Sequence, residues 1–249
     1  MFAHWLGITT LLPLALGNGP PDAATPAPQR SSILGKALFV GNAQDYTPRP
    51  VPEPLGKVCI ERHRRDPIVN EDVVLNRDTD PVAIRNVIVS LKMLPAAEKP
   101  PSPPSAPVLV EMRGCVFQPH VVAVQAGQPL RFVNADDNMM AVHLRPAVNP
   151  EANYTRPHRG DQLDFQLKAE PPFRVKSDVF PWTSLWVAVL DHPFFAVTGD
   201  DGSFKIANVP QGRYTLEAWH ETFGTLNADV DLTSSQTKTI DFTFAPERK

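Results

Sequence analysis

The sequence predicts an all-β fold, and three observations support this prediction. Short runs of β-branched and aromatic residues alternate with Gly, Pro, Asn and Asp along most of the chain, a pattern typical of sandwiches and barrels. Apolar positions with the 3.6-residue period of an amphipathic helix are nearly absent. The stretch QLDFQLK (162–168) alternates strictly, so Leu163, Phe165 and Leu167 share one face of a predicted strand.

The first part of the chain contains three predicted strands. They are KALFV (36–40), KVCIE (57–61) and NVIVSLK (86–92). The following stretch, PAAEKPPSPPSAP (95–107), cannot donate regularly to a sheet because proline has no backbone N–H. It is therefore predicted to be a linker or a long surface loop.

After this linker, strands are predicted at VLVEMR (108–113), HVVAVQ (120–125) and PLRFVN (129–134). The stretch 135–161 is predicted to be a long irregular segment. Loops of that length are uncommon in compact domains and often functional.

Strands resume from residue 185, and GDDGSF (199–204) has the Asp-Gly signal of a tight hairpin turn. We expect an N-terminal β segment (33–94) and a C-terminal one (191–249). These two segments could pair with one another, in which case residues 108–190 would be an insertion between them.

Length and charge limit the number of domains and the classes of function that the chain can have. The 249 residues suffice for one large or two modest domains. The formal net charge of −3 argues against nucleic acid as the main partner. No stretch after the N-terminus is long and apolar enough to predict a transmembrane span.

The N-terminus predicts export. The apolar run 5–16 is too short for a membrane span but fits a secretory signal, with small residues placed for cleavage. We therefore expect a signal peptide at 1–17, a linker at 18–32 and a periplasmic or secreted protein. The alternative is a buried N-terminal segment.

The chain has two cysteines, Cys59 and Cys115. An even count in an oxidising compartment favours one disulfide, and the alternative is two separate buried thiols. The wide spacing of the pair does not match a zinc motif.

Two segments together resemble known proteins. GCVFQPHVVAVQAGQPLRFVNADD (114–137) resembles the opening of a cupredoxin, the blue-copper sandwich. The block 175–224, which begins VKSDVFPWTSLW, is similar to the second half of that module continuing into a carboxypeptidase-regulatory-like β segment. The combination resembles exported bacterial proteins described as cupredoxin-like or methylamine-utilisation-like. It implies a Greek-key cupredoxin-like sandwich at 108–190, joined to a smaller carboxypeptidase-regulatory-like (transthyretin-like or Ig-like) sandwich that includes 191–249.

The resemblance also implies where copper ligands would lie. A blue-copper site uses a thiolate, two imidazoles and a weak axial thioether. The matching positions here hold Met140, Ser177, Phe180 and Thr183, while the neighbouring Pro-Trp pair stays as in that family. Since every ligand position is substituted, we expect no copper and no other cofactor.

Other candidate residues have competing interpretations. His192, His220 and Glu221 could hold a first-row metal ion, or could serve packing and hydrogen bonding. Trp182 could face a partner or ligand, or could belong to the core. A further set of thioethers and imidazoles could bind Cu(I) and consists of Met139, Met140, His143 and His120. The alternative is that the methionines lie in a surface loop and the histidine is structural.

Nothing in the sequence resembles a nucleophile elbow, a phosphate-binding glycine loop or an acid–base pair, so we expect no enzyme activity. Three functions remain as hypotheses. The first is a non-enzymatic exported binding or scaffold protein that has lost its copper site. It would bind a protein partner in the periplasm or cell envelope, and that partner could be a redox protein or a protein of another kind. The alternatives are a periplasmic blue-copper electron-transfer protein and a carbohydrate or cell-envelope binding module.

Overall fold

The computed structural model of the chain describes Met1 and residues 30–51, 57–92, 100–233 and 235–246. The expected signal peptide (after Met1) and most of the expected linker lie outside the described residues, as do positions 95–99 of the proline-rich linker. The first strand begins at Arg30, because the chain already pairs there with Pro210. Residues 30–32 are therefore part of a sheet and not of a linker.

Most of the described chain is in β-strands. In chain order the strands and the two short helical segments are β1 (Arg30–Phe39), a 3₁₀ turn (Ala43–Tyr46), α1 (Lys57–Arg62), β2 (Leu75–Asn76), β3 (Ala83–Ile84), β4 (Ile88–Leu91), β5 (Val108–Arg113), β6 (Val116–Gln118), β7 (Val121–Gln125), β8 (Pro129–Asn134), β9 (Met140–Arg145), β10 (Ala152–Arg156), β11 (Gln162–Gln166), β12 (Glu170–Lys176), β13 (Ser184–Leu190), β14 (Phe195–Val197), β15 (Ser203–Pro210), β16 (Gly212–His220), β17 (Gly224–Leu232), β18 (Thr237–Thr239) and β19 (Phe242–Phe244).

Residues 108–190 form what we call the central sandwich. One of its sheets has the strand order β10-β9-β12-β13-β7, and the other has the order β11-β8-β5-β6. Strand neighbours are mostly non-consecutive, and the pairs β5–β8 and β7–β13 are parallel. The inward faces of the two sheets share one apolar core that includes Phe117, Phe132 and Leu185, as expected for alternating strands with one buried face.

The flanking sandwich contains strands from both sides of the central one. In one sheet, β1 lies between β15 and β3 and also pairs with β18 and β19. In the other, β4 lies between β14 and β16, and β17 completes the edge. The chain thus leaves the flanking sandwich after β4, builds the central sandwich, and returns through β14. The predicted all-β class with two joined sandwiches is confirmed.

The prediction of a strand at 57–61 is wrong, because these residues belong to the six-residue helix α1. Such a short helix has little intrinsic stability, and tertiary contacts hold it. Cys59 and Ile68 are part of the core of the central sandwich, so this stretch packs away from the strands that surround it in sequence.

The prediction of an irregular stretch at 135–161 is also wrong, because β9 and β10 pair there in register from Met140 with Arg156 to Leu144 with Ala152. Strand β12 was not predicted either, since Pro171 and Pro172 interrupt its pattern. It accommodates them at a register shift between Glu170 and Phe173, where a missing N–H donor is tolerated.

The two sandwiches pack directly on each other. Ile88 of β4 contacts Val121 of β7 and Ala188 of β13 in a small buried cluster. Beside it, the rings of Trp186 and Trp219 meet edge to face with centroids 5.2 Å apart. This apolar junction sets the distance at which polar groups of the two sandwiches meet.

Within the described ranges, none of the helices has the length and apolar character needed to cross a bilayer.

Candidate functional site

The loop 177–183 joins β12 to β13 and carries three of the positions that the cupredoxin resemblance aligns with copper ligands. Ser177, Phe180 and Thr183 are 3%, 7% and 5% exposed, so all three point into the protein. The backbone N–H of Phe180 donates to Ser177 Oγ at 3.1 Å, and the N–H of Thr183 donates to the Phe180 carbonyl oxygen at 3.0 Å. The serine hydroxyl therefore closes a tight turn.

The same side chains connect the loop to the sandwich. Thr183 Oγ1 accepts a hydrogen bond from the backbone N–H of Phe117 at 2.9 Å, which ties the loop to β6. The ring of Phe180 lies 5.2 Å from the ring of Trp182. Met140, at the start of β9, is fully buried in the same core. Packed or hydrogen-bonded side chains occupy all four positions.

This set of side chains does not fit a type I copper ion. A serine hydroxyl is a hard, neutral donor, and phenylalanine offers no donor atom. The thioether of Met140 would be a single soft ligand without a thiolate or an imidazole beside it. Cys59 and Cys115 are bonded to each other, so neither can supply that thiolate.

The predicted disulfide between Cys59 and Cys115 is present and joins α1 to the β5–β6 turn. That turn has positive φ angles of 67° at Gly114 and 62° at Cys115. Both N–H groups donate to the buried carboxylate of Asp136, at 2.9 and 2.7 Å, and Arg62 of α1 pairs with the same carboxylate. One buried anion thus shapes the turn and docks the helix.

Trp182 is half-buried at the same end of the sandwich. Its indole N–H donates to the carbonyl oxygen of Cys115 at 3.0 Å, so the ring has a fixed orientation. Part of it lines a cavity of about 50 Å³ together with Asp72, His120 and Thr183. The candidate partner-facing tryptophan is therefore anchored to the disulfide and only partly available at the surface.

His143, a member of the proposed thioether–imidazole set, lies on the outside of β9. Its Nε2 is 2.6 Å from Glu151 Oε1, and its Nδ1 is 3.3 Å from Asp178 Oδ1. The hydrogen bond with Glu151 raises the pKa of His143, burial opposes this, and the hydrogen bond and charge of Asp178 raise it further. The imidazole is thus a partner of two carboxylates, one of them Asp178 in loop 177–183, and it lies outside the core that holds Met140 and Phe180.

His192 and His220 serve the flanking sandwich. Nε2 of His192 is 2.9 Å from the carbonyl oxygen of Leu91, and the N–H of Phe194 donates to its Nδ1 at 3.2 Å. The ring of His220 stacks on Phe223 at 5.0 Å. Burial, followed by the charge of His120, lowers the pKa of His220 to about 4, so this imidazole is neutral near pH 7.

The third residue of that candidate set, Glu221, meets a different histidine. Its Oε1 is hydrogen-bonded to Nε2 of His120 from the central sandwich, and its Oε2 accepts from the indole N–H of Trp186 at 2.6 Å. Asp72 completes the group, and the nearest ligand atoms of Asp72, His120 and Glu221 lie within 4.8 Å of one another. In the part of the chain that the structure describes, this is the one set of three such residues so arranged.

Sequence reasoning missed this grouping, because Asp72, His120 and Glu221 lie far apart in the chain and share no motif. His120 is 7% exposed, and its Nδ1 is 3.1 Å from the carbonyl oxygen of Ser184. Burial lowers the pKa of His120, but the hydrogen bond to Glu221 and the charges of Glu221, Glu71 and Asp72 outweigh burial and raise it.

A larger cleft of about 320 Å³ also lies between the sandwiches. Pro171 and Pro172 of β12 line one side, and Glu217 and Trp219 of β16 line another. The Trp219 ring that lines this cleft is the one that contacts Trp186.

Comparisons with known proteins cover parts of the chain. The carboxypeptidase regulatory-like domain matches residues 187–245, which include the end of β13 in the central sandwich and all of β14 to β19 in the flanking one. No curated protein sequence matches the chain.

Three solved structures illustrate the structural matches. A copper-containing nitrite reductase from Thermus scotoductus SA-01 is 19% identical, with a TM-score of 0.30, over 39% of this chain and 24% of its own. A purple cupredoxin from Nitrosopumilus maritimus is 13% identical, with a TM-score of 0.28, over 32% and 97%. A Cu(I) amicyanin variant is 15% identical, with a TM-score of 0.30, over 41% and 97%. At TM-scores this low, the fold of the present chain rests on its own sheet topology.

Proposed function

We propose that this chain is a non-enzymatic exported binding or scaffold protein, whose central sandwich keeps the frame of a copper-binding module without its ligands. The observation that carries this proposal is the occupancy of the four ligand positions. Ser177 and Thr183 accept hydrogen bonds from backbone N–H groups, while Phe180 and Met140 belong to the apolar core.

Export is supported by the apolar N-terminal sequence and by the disulfide. Disulfides persist in oxidising compartments and are rare in reducing ones. Expression of the full chain in a Gram-negative host should give a periplasmic or secreted product whose N-terminus lies near residue 18. An intact N-terminus on a cytoplasmic product would contradict this part of the proposal.

A binding role is supported by apolar side chains around the disulfide. Val58 and Ile60 flank Cys59 on α1 and are 53% and 39% exposed. Met139, 43% exposed, follows Asn138, whose amide contacts Cys115 Sγ at 3.8 Å. Exposed apolar groups gathered in one place mark interaction surfaces more often than scattered ones do.

Visible absorption of the purified, tagless protein with added Cu²⁺ tests the loss of copper. Because no thiolate is available, we expect no intense thiolate-to-copper band. The matched positive variant carries Met140→His, Ser177→Cys, Phe180→His and Thr183→Met, and it should acquire the band if the frame is retained. A band in the wild-type protein would refute the proposal, and a folded quadruple variant without a band would refute retention of the frame.

Partner capture tests the binding role. Tagged wild-type protein and an Ile60→Lys, Met139→Lys variant are expressed in the source organism and purified after cross-linking. A protein of the periplasm or envelope that is recovered with the wild type and lost with the variant is the expected result. Equal recovery of every protein by both would contradict a partner site around the disulfide.

A further inference from the structure

We propose that Asp72, His120 and Glu221 form a binding site for a first-row divalent cation at the junction of the two sandwiches. Asp72 and Glu221 belong to segments of the flanking sandwich, whereas His120 precedes β7 of the central one. A bound cation would therefore link the sandwiches. One imidazole and two carboxylates are a ligand set that suits Zn²⁺ and its first-row neighbours.

His120 is held in the orientation that a metal ligand needs. Its Nδ1 lies 3.1 Å from the Ser184 carbonyl oxygen, which can only accept, so Nδ1 carries a proton. The other ring nitrogen, Nε2, faces Glu221. Metal-binding histidines commonly donate their second N–H to a backbone carbonyl, and this fixes both ring orientation and tautomer.

The carboxylates are also positioned by neighbours. Trp186 donates to Oε2 of Glu221 at 2.6 Å, which leaves Oε1 turned towards His120. Asn70 donates to Oδ2 of Asp72 at 2.6 Å. The hydroxyl of Thr222 donates to the Asp72 carbonyl oxygen at 2.9 Å, so the segments that carry the two carboxylates are tied together.

The charge of the cluster favours a cation. Glu71 Oε2 lies 4.0 Å from His120 Nδ1, which brings a third carboxylate to a single imidazole. Even with His120 protonated, the group carries an excess of negative charge, and a divalent ion would relieve it. The guanidinium group of Arg174, which lines the adjoining cavity, is the nearby positive charge that competes with a metal ion for balancing these carboxylates.

The site has room for an ion with water ligands. Tetrahedral zinc with bonds of about 2.0–2.1 Å places its ligand atoms about 3.4 Å apart. Ligand atoms within 4.8 Å can reach that spacing through small side-chain rotations, with the hydrogen bond between His120 and Glu221 opening. The adjoining cavity of about 50 Å³, lined by Asp72 and His120, can hold one or two waters that complete the coordination.

Zinc titration of the tagless, chelator-treated full chain tests the proposal. We expect calorimetry to show one saturable site, and saturating Zn²⁺ to raise Tm by about 5–10 °C. Co²⁺ should bind at the same site and give visible d–d bands. Binding of no ion at 100 µM, a concentration on the order of that used for weak extracellular sites, would overturn the proposal.

Variants locate the ion. His120→Gln should weaken Zn²⁺ binding at least tenfold, and Asp72→Asn serves the same purpose if the first variant fails to fold. His143→Gln is the matched control, since it removes another carboxylate-paired histidine far from the junction. Unchanged affinity in both His120→Gln and Asp72→Asn would place any bound zinc elsewhere and refute the site. Because the ligands lie outside loop 177–183, this outcome is independent of the copper test.

Discussion

The indole N–H of Trp182 donates to the carbonyl oxygen of Cys115 at 3.0 Å, and the two residues are 67 positions apart in the chain. This bond connects loop 177–183 to the disulfide and, through it, to α1. The N–H of Cys115 is bonded to the buried carboxylate of Asp136, so both backbone polar groups of the half-cystine have partners. The end of the central sandwich is thus held by one connected network.

Removal of the disulfide should lower stability substantially. The bond spans 56 residues, and the chain-entropy model gives about 4 kcal/mol for closing a loop of this length. The variant Cys59→Ser, Cys115→Ser should lose about that much free energy of unfolding, measured by urea denaturation. Arg62→Ala, which removes only the ion pair of α1 with Asp136, is the control for helix docking. A loss below about 1 kcal/mol in the double variant would mean that the unfolded chain is already constrained.

Glu170→Gln should destabilise the protein at neutral pH. The carboxylate accepts hydrogen bonds from the N–H groups of Ala147, Val148 and Asn149, and from the side-chain amide of Asn149. In the glutamine variant, an NH₂ group would replace one carboxylate oxygen and would face these N–H donors without an acceptor between them. We expect this to cost about 1–3 kcal/mol.

The Glu170 effect should depend on pH. Burial raises the pKa of Glu170, but the hydrogen bonds from Asn149 and the backbone outweigh it, so the pKa is lowered. Its contribution is therefore present above the unfolded pKa of about 4.3 and is lost as pH falls through the folded value. The unfolding free energies of wild type and variant should converge as pH falls from about 4.3 through the lowered folded pKa of Glu170. A pH-independent difference would show that the charge is not involved, and Glu61→Gln on the exposed face of α1 is the control.

His143→Gln should show the opposite pH dependence. Because the pKa of His143 is raised in the folded state, its ion pairs stabilise below the unfolded pKa of about 6.5, and the effect is lost as pH rises through the folded value. The site is solvent-accessible, so we expect a difference of about 0.5–1 kcal/mol at pH 5.5 that shrinks by pH 8.5. Chemical denaturation at both pH values measures it. A larger effect at pH 8.5 would contradict the assignment.

Much of the fold could be predicted locally. The alternating strand at 162–168 and the Asp-Gly turn at 199–204 follow from periodicity and turn chemistry, which depend on near neighbours in the chain. Strand β12 was missed because Pro171 and Pro172 interrupt its pattern, and β9 was missed inside a stretch predicted to be irregular; the two strands pair with each other across about 30 residues of chain. The helix α1 was missed for the same reason, since a disulfide and an ion pair hold it.

Of the candidate sites, one could be assessed from the sequence and the other could be found only in the structure. The missing copper ligands could be recognised from a resemblance over a short loop, because ligand identity is a property of single residues. The Asp72–His120–Glu221 group could not, because it forms only where two sandwiches touch. His192 and His220, which were grouped with Glu221 on the basis of sequence, instead contact Leu91 and Phe223 in the flanking sandwich.

The sequence by itself determined the all-β class and the absence of a cysteine in loop 177–183, and it favoured the pairing of the two cysteines, because composition and short-range pattern suffice for these. Only the tertiary structure decided which histidine meets Glu221, since His120 lies 101 residues away in the chain. The packing of Trp186 against Trp219 brings the two sandwiches together and so places those side chains. Contacts of that range depend on the whole core and leave no local signature.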